Sequence, residues 1–484
     1  MDDAREWAQE QFGHAELGDL RRTRRLVRVA AEVIGRPSGI VSRACATSAS
    51  REGAFRLLES PHVRAADVLE AVLEKTAEDC RGKGTVIVPV DATSLSLEDD
   101  GSKGLGRIAH GRARSRGIHA VTALVLTNDG TPIGIGAQAL YVRAKGAAQG
   151  SKPESEGRHG LDVLESLETR LAGTDARPWF QMDRAFDSNN VLALAAKLGS
   201  LITVRSRANR KLDTEACLWT TLARAPIRAT KTVEVAAGTS PVEKRRRVDG
   251  KICWTYGPPR KARVAKVVVR AAEVGLCWPL KDGKRPPLMS INAVLVREKG
   301  RSKDDRIEWL LLTTHPIRTR ADILEVIRAY TLRWRIEDFH RAWKDGLCRV
   351  EDTQLRSRDA IYKWSTILAT VATRAMRLTH LARETPDALA STEFSDCQFA
   401  GSWGQPFAGT WGQGGERNDF TESAASLVRC PSPSRTCSGR RCFAGGWGQC
   451  QRDRARARGC ARVFMAGDAG GGLAASSVGL SLGR

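Results

Sequence analysis

The sequence predicts an α/β fold of more than one domain, on three observations. Short apolar runs of strand length at 85–90 (TVIVPV) and 179–182 (WFQM) each lead into an aspartate. Segment 210–300 alternates apolar and polar residues, whereas 1–70 and the stretch from 321 onward carry helical periodicity. At 484 residues the chain is long enough for two or three domains, with a sizeable core in at least one.

Residues 1–70 read as a helical region. LGDLRRTRRLVR at 17–28 places Asp19 to cap the helix that follows it. Arg21, Arg24, Arg25 and Arg28 fall on one face with Arg22 beside them, while Leu26, Val27 and Ala30 supply apolar contacts elsewhere. SREGAFRLLE at 50–59 predicts a second helix with Phe55, Leu57 and Leu58 turned inward. The arginine density favours phosphate contacts; a solvated basic face is the alternative.

The character changes near 85. Strands are expected at 85–90, 117–127, 132–141, 179–182 and 201–207, the last basic at its exit. Helices are expected at 161–171 and 188–198, and a polar loop, AKGAAQGSKPESEGRHG, precedes the first of these. Segment 210–300 reads as strand-rich and basic, with KARVAKVVVR at 261–270, INAVLVR at 291–297 and a KRRR run at 244–247. One uninterrupted helix is expected from 321 through YTLRWRIEDFHRAWKDG at 330–346, and another over 358–383. Segment 397–484 contains no lysine, holds six of the twelve cysteines, and repeats FAGSWGQ, FAGTWGQ and FAGGWGQ. Gly-rich sequence of this kind buries little core, so 384–484 is expected to be a disordered, aberrant tail, translated from a shifted reading frame beyond about 397.

A formal net charge of +22 and a pI near 9.9 point to a polyanionic partner, with nucleic acid first. No stretch approaches the roughly 18 apolar residues of a spanning helix, which argues against a membrane partner. MDDAREWAQE at the start is acidic and lacks a signal peptide's apolar run, so a soluble, intracellular protein is expected. The cysteines form no CxxC pair of the zinc type and read as reduced and structural.

Three carboxylates stand out. Asp91 and Asp183 each directly follow a predicted buried strand, and strand ends gather such residues at one sheet edge. Glu337 shares a narrow helix face with Tyr330, Arg333 and Lys344, at steps of three, four and seven residues and about 100° per residue. That face suits either an ion-paired helix surface or a carboxylate holding a divalent metal beside a phosphate backbone. Two Asp and one Glu are hard oxygen ligands suited to Mg²⁺ or Mn²⁺, and two such ions roughly 4 Å apart clamp a phosphodiester for in-line attack.

The order DxTSLS, DRxxD and Y-x2-R-x3-E-x6-K resembles the bacterial cut-and-paste insertion-sequence transposases that carry a DDE triad and a YREK signature. The resemblance spans about residues 5–395 and includes WAQEQFGHAELGDLRRTRRLVRVA near the start and WLLLT at 309–313. It implies a ribonuclease-H-like catalytic core over 71–383 interrupted by a β-rich insertion at about 210–315. It also implies a helical region over 1–70 that binds transposon-end DNA. Asp91, Asp183 and Glu337 then resemble the metal-binding triad for two Mg²⁺ or Mn²⁺ ions, and Tyr330, Arg333 and Lys344 the residues that contact phosphates near the cleaved end. Trp309 matches the tryptophan on which a flipped base stacks, although a core tryptophan opening the WLLLT strand is the competing reading.

The implied partners are the transposon's inverted repeats and target DNA, with two protomers paired in synapsis. The implied location is the bacterial cytoplasm, at the nucleoid. Family members continue with a helical dimerisation segment that 397–484 does not resemble, which raises the alternative of a defective copy or a DNA-binding inhibitor. A metal-dependent nuclease without strand transfer is a further alternative.

Overall fold

The computed structural model describes residues 2–384 apart from 100, 109–115, 144–155, 236–241, 249–250, 258–260, 278–287 and 302–305. The Gly- and Cys-rich segment expected as a tail lies outside the described residues, as do most of the polar loop and the side chains of the KRRR run.

Five helices open the chain: α1 (Asp2–Phe12), α2 (Leu20–Gly35), α3 (Val41–Ala44), α4 (Ser48–Leu58) and α5 (Ala65–Asp79). Asp19 caps α2 by accepting from Arg21 N at 2.8 Å, and Leu26, Val27 and Ala30 are buried. In α4, Thr47 and Ser50 form a reciprocal capping box. Leu57 and Leu58 turn inward as expected, but Phe55 does not and is 41% exposed. The inward face of α4 is carried by Gly53, Ala54, Leu57 and Leu58, a stripe at helical spacing that leaves position 55 on the rim.

Strands β1 (Thr85–Leu97), β2 (Gly106–Arg107), β3 (Arg116–Leu126) and β4 (Pro132–Tyr141) precede α6 (Glu156–Leu171), β5 (Arg177–Met182), α7 (Asn189–Leu198) and β6 (Leu201–Arg205). In the sheet β4 pairs with β3, β3 runs antiparallel to β1, and β1, β5 and β6 are mutually parallel. This strand order, β4-β3-β1-β5-β6 with β3 reversed, is the ribonuclease-H-like arrangement. The remaining elements are α8 (Leu218–Arg224), β7 (Ile227–Val235), β8 (Val242–Val248), β9 (Lys251–Gly257), β10 (Arg263–Cys277), β11 (Leu288–Glu298) and β12 (Glu308–Thr313). Most of the strand-rich segment continues the same sheet, because β12 pairs antiparallel with β6 and the order runs on through β11 and β10 to β7, while β8 and β9 pair as a separate hairpin. The short helix α8 precedes its strands within the segment read as strand-rich.

Side-chain parity divides the core into two layers. Ile87, Leu95 and Trp179 face the layer built with α2, α5 and three C-terminal helices, α9 (Arg320–Thr331), α10 (Arg335–Lys344) and α11 (Arg358–Glu384). Val86, Val88, Val90, Phe180 and Met182 face the opposite layer, under α6, α7 and α8. Asp91 shares the parity of Ile87, which turns it toward the α10 side. Among the described residues no helix is long and apolar enough to cross a membrane.

The helix expected to run unbroken from 321 is broken. A tighter 3-10 turn, Leu332–Trp334, separates α9 from α10. The Leu332 N–H bonds to Ala329 O and Tyr330 O in place of Arg328 O, which tightens the turn, and the Thr331 hydroxyl donates to Arg328 O at 2.6 Å. Helix α10 is fixed by Ile336, Phe339 and Trp343, all fully buried at helical spacing, and the Trp343 indole donates to Ser365 O at 3.0 Å. Each such burial contributes about 1.5–3 kcal/mol.

Candidate active site

Strand β1 does not stop before Asp91. It runs on to Leu97 and stays paired with β3, with Asp91 opposite Thr122. What stops is the parallel partner: β5 ends at Met182, opposite Val90. Asp91 and Asp183 are therefore the successive residues just beyond the last β1–β5 pair, side by side at the edge where the two chains part. Asp183 also caps the short turn after β5, accepting from Ala185 N at 2.7 Å. Glu337 enters from the first turn of α10.

The three acids share one electrostatic neighbourhood. Burial pushes the Asp91 carboxyl up to about 7, and the negative charges of Glu337 and then Asp183 add to the effect. Ligand atoms of Asp91, Glu337 and His340 lie within 4.8 Å of one another. Asp183 stands outside that group of three and acts on Asp91 through its charge.

His340 is absent from the sequence-based set, although IEDFH carried the signal: a histidine three residues after Glu337 occupies the same helix face. The imidazole is buried, with Nδ1 3.8 Å from Asp91 Oδ2. Its Nε2 has no hydrogen-bond partner among the described residues. Burial pulls its pKa down to about 3, with the cations of Lys344 and Arg333 contributing, so the ring is neutral.

The cations and aromatics of the helix face gather around this centre. Arg333 is 7% exposed, donates weakly from Nη1 to Glu337 Oε1 at 3.4 Å, and lies 5.1 Å from the Trp334 ring centroid. Lys344 Nζ reaches across to Thr93 Oγ1 at 3.4 Å and Glu351 Oε1 at 3.6 Å. Tyr330 is buried, which raises its phenol pKa, and it meets half-buried Trp309 edge-on with centroids 5.7 Å apart. Arg205, at the basic exit of β6, is a further cation of the site. Burial depresses its pKa, Tyr330 opposes this, and the like charges of Arg184 and Arg333 depress it further. Sequence reading noted the basic exit without assigning Arg205 to the site.

Of the α2 arginines, Arg21, Arg24 and Arg28 are exposed. Arg22 turns back into the fold, donating from Nη1 to Leu17 O at 3.0 Å and His62 O at 3.4 Å. Arg25 is half-buried and packs its guanidinium against Gly53 of α4.

The donor set fits a divalent cation. Two carboxylates and a neutral imidazole converge, and burial together with the neighbouring carboxylates raises the Asp91 pKa, a penalty that a bound cation would relieve. Residues 4–63 match the family described as Transposase DNA-binding. Residues 82–374, well over half of the chain, match the family described as Transposase DDE domain. The second match covers β1, the end of β5 and α10, and with them Asp91, Asp183 and Glu337. The chain belongs to the DDE transposases, metal-dependent phosphoryl-transfer enzymes that act on DNA.

Proposed function

We propose that the chain is a cut-and-paste transposase of the bacterial insertion-sequence type with the YREK signature. Asp91, Asp183 and Glu337 would hold two Mg²⁺ or Mn²⁺ ions. When bound, such ions supply activation of the attacking oxygen and stabilisation of the leaving oxygen. The sequence of events is hydrolysis at the transposon end to release a 3′-hydroxyl, attack of that hydroxyl on the opposite strand to form a hairpin, reopening by water, and joining to target DNA. Each is a phosphoryl transfer at the same centre, so one set of side chains serves all four.

The chain's own residues bind and align the strand. Lys344, Arg333 and Arg205 lie where they would neutralise backbone phosphates beside the carboxylates. Trp309, half-buried and braced by Tyr330, offers a π-face to an extruded base. Arg21, Arg24 and Arg28 on α2 present positive charge to end DNA. Two protomers pairing two ends belong to the same reading.

The observation that supports the proposal best is the convergence of side chains distant in sequence: ligand atoms of Asp91, Glu337 and His340 lie within 4.8 Å of one another, and the charges of Glu337 and Asp183 both bear on the buried Asp91 carboxyl. The test uses the DNA flanking the gene, searched for short inverted repeats and supplied as pre-cleaved ends with Mn²⁺. Strand joining by the wild-type chain, lost in Asp91→Asn and Glu337→Gln with DNA binding retained, is the expected result. Cleavage without joining identifies a nuclease, and DNA binding that competes with an intact transposase without cleavage identifies an inhibitor.

A further inference from the structure

We propose that His340 is a third metal-coordinating side chain, joining Asp91 and Glu337 on one divalent ion. The two cation positions are then chemically unequal, one with mixed nitrogen and oxygen donors and one with oxygen alone. The inference rests on the reading that Asp91 and Glu337 are metal ligands.

Three observations carry it. The ligand atoms of the three residues lie within 4.8 Å of one another. Donors about 2.1 Å from a common cation lie about 3 Å apart when adjacent and about 4.2 Å apart when opposite, so the group needs only a small contraction to close on an ion. Glu337 and His340 are three residues apart on α10, and a Glu-x-x-His pair on one helix face is a recurring way of aiming both donors at a shared metal. Finally, the imidazole is buried with Nε2 lacking a partner among the described residues and Nδ1 facing the Asp91 carboxylate at 3.8 Å. A buried polar ring that no internal hydrogen bond explains calls for a ligand.

An imidazole donor favours borderline transition ions over Mg²⁺, so the mixed position is expected to select Mn²⁺ and the all-oxygen position to discriminate little. An alternative role, in which His340 merely hydrogen-bonds to Asp91, predicts no nitrogen in the first coordination sphere.

The test loads metal-stripped full-length protein with Mn²⁺ and records electron spin-echo modulation, with titration calorimetry for Mn²⁺ and Mg²⁺ alongside. Coupling to a directly bound ¹⁴N, altered when the histidines are ¹⁵N-labelled and retained in Asp183→Asn, is the expected result; it requires no His340 variant. In His340→Gln, the Mn²⁺ dissociation constant should rise about tenfold or more and the Mg²⁺ constant less than about threefold. Absence of nitrogen coupling in wild-type protein whose Mn²⁺ binding is abolished by Asp91→Asn overturns the His340 assignment and leaves the carboxylate site standing. Unchanged Mn²⁺ affinity in Asp91→Asn overturns both.

Discussion

Replacing Asp91 by Asn should stabilise the metal-free protein, and the size of the gain can be worked from the site. In the fold the Asp91 carboxyl titrates at about 7 rather than at its ordinary 3.8. The raised value means that the folded state prefers the protonated acid. The penalty is absent below the ordinary value, grows as pH rises from about 4, and is complete above about 7. At about 1.4 kcal/mol per pH unit, a gap of roughly three units sets a ceiling near 4 kcal/mol, and an Asn amide that packs imperfectly brings the expected gain to about 2–3 kcal/mol. The side chain is only 16% exposed, so solvent screening takes little from this figure. The assay is urea unfolding of both proteins in EDTA at pH 4.5 and pH 8. The variant should be more stable at pH 8, by the amount above, and nearly equal to wild type at pH 4.5. Excess Mg²⁺ should reverse the order at pH 8, because a bound cation stabilises only the ionised site. A variant no more stable than wild type at pH 8 without metal would refute the claim that burial and the neighbouring acids penalise the ionised Asp91 carboxylate.

Other expectations follow from single contacts. Lys363 is buried and donates to Leu58 O at 2.9 Å and Ser60 O at 3.0 Å, so Lys363→Met should cost about 1–3 kcal/mol in urea unfolding by leaving Leu58 O without that donor and Ser60 O with Val63 N alone. A Cβ at Gly39 would sit 1.9 Å from Arg349 O, so Gly39→Ala should lower stability by about 2 kcal/mol or more, read as a drop in thermal midpoint. Replacing Arg21, Arg24 and Arg28 together by Ala should reduce the log-affinity against log-salt slope for DNA by about one per arginine and leave unfolding within about 0.5 kcal/mol per site. Arg22→Ala should instead lower stability by about 1 kcal/mol, through loss of its bonds to Leu17 O and His62 O.

The sheet was largely legible because its strands are short apolar runs whose period of two is visible along the chain. The 85–90 strand was read short because DATSLSL mixes polar residues into the alternation, and only the pairing with β3 reveals that they remain in the ladder. The aspartates were found through what survives that error, namely that both follow a parallel pair of apolar strands. The break in the helix was not legible, since one tightened turn leaves the apolar spacing on either side of it nearly unchanged. Phe55 was assigned inward on hydrophobicity alone, whereas helical spacing from Ala54 and Leu57 leaves it at the rim. Arg22 and Arg25 looked equivalent to their neighbours because charge says nothing of which guanidinium finds an internal partner. His340 was passed over because attention to acids omits a neutral nitrogen donor one turn away.

Helix α11 deserves a mechanical reading. Near its start the Trp364 indole donates to Gly39 O at 2.7 Å and Lys363 grips the end of α4, while farther along Arg377 donates to Pro132 O at 3.0 Å, where β4 begins. Twenty-seven residues make a rod about 40 Å long. One rod thus ties the arginine-bearing helical layer to the first residue of β4, and holds helices and sheet at a fixed separation. A proline placed midway in this buried rod would cost about 3 kcal/mol or more and loosen both attachments together.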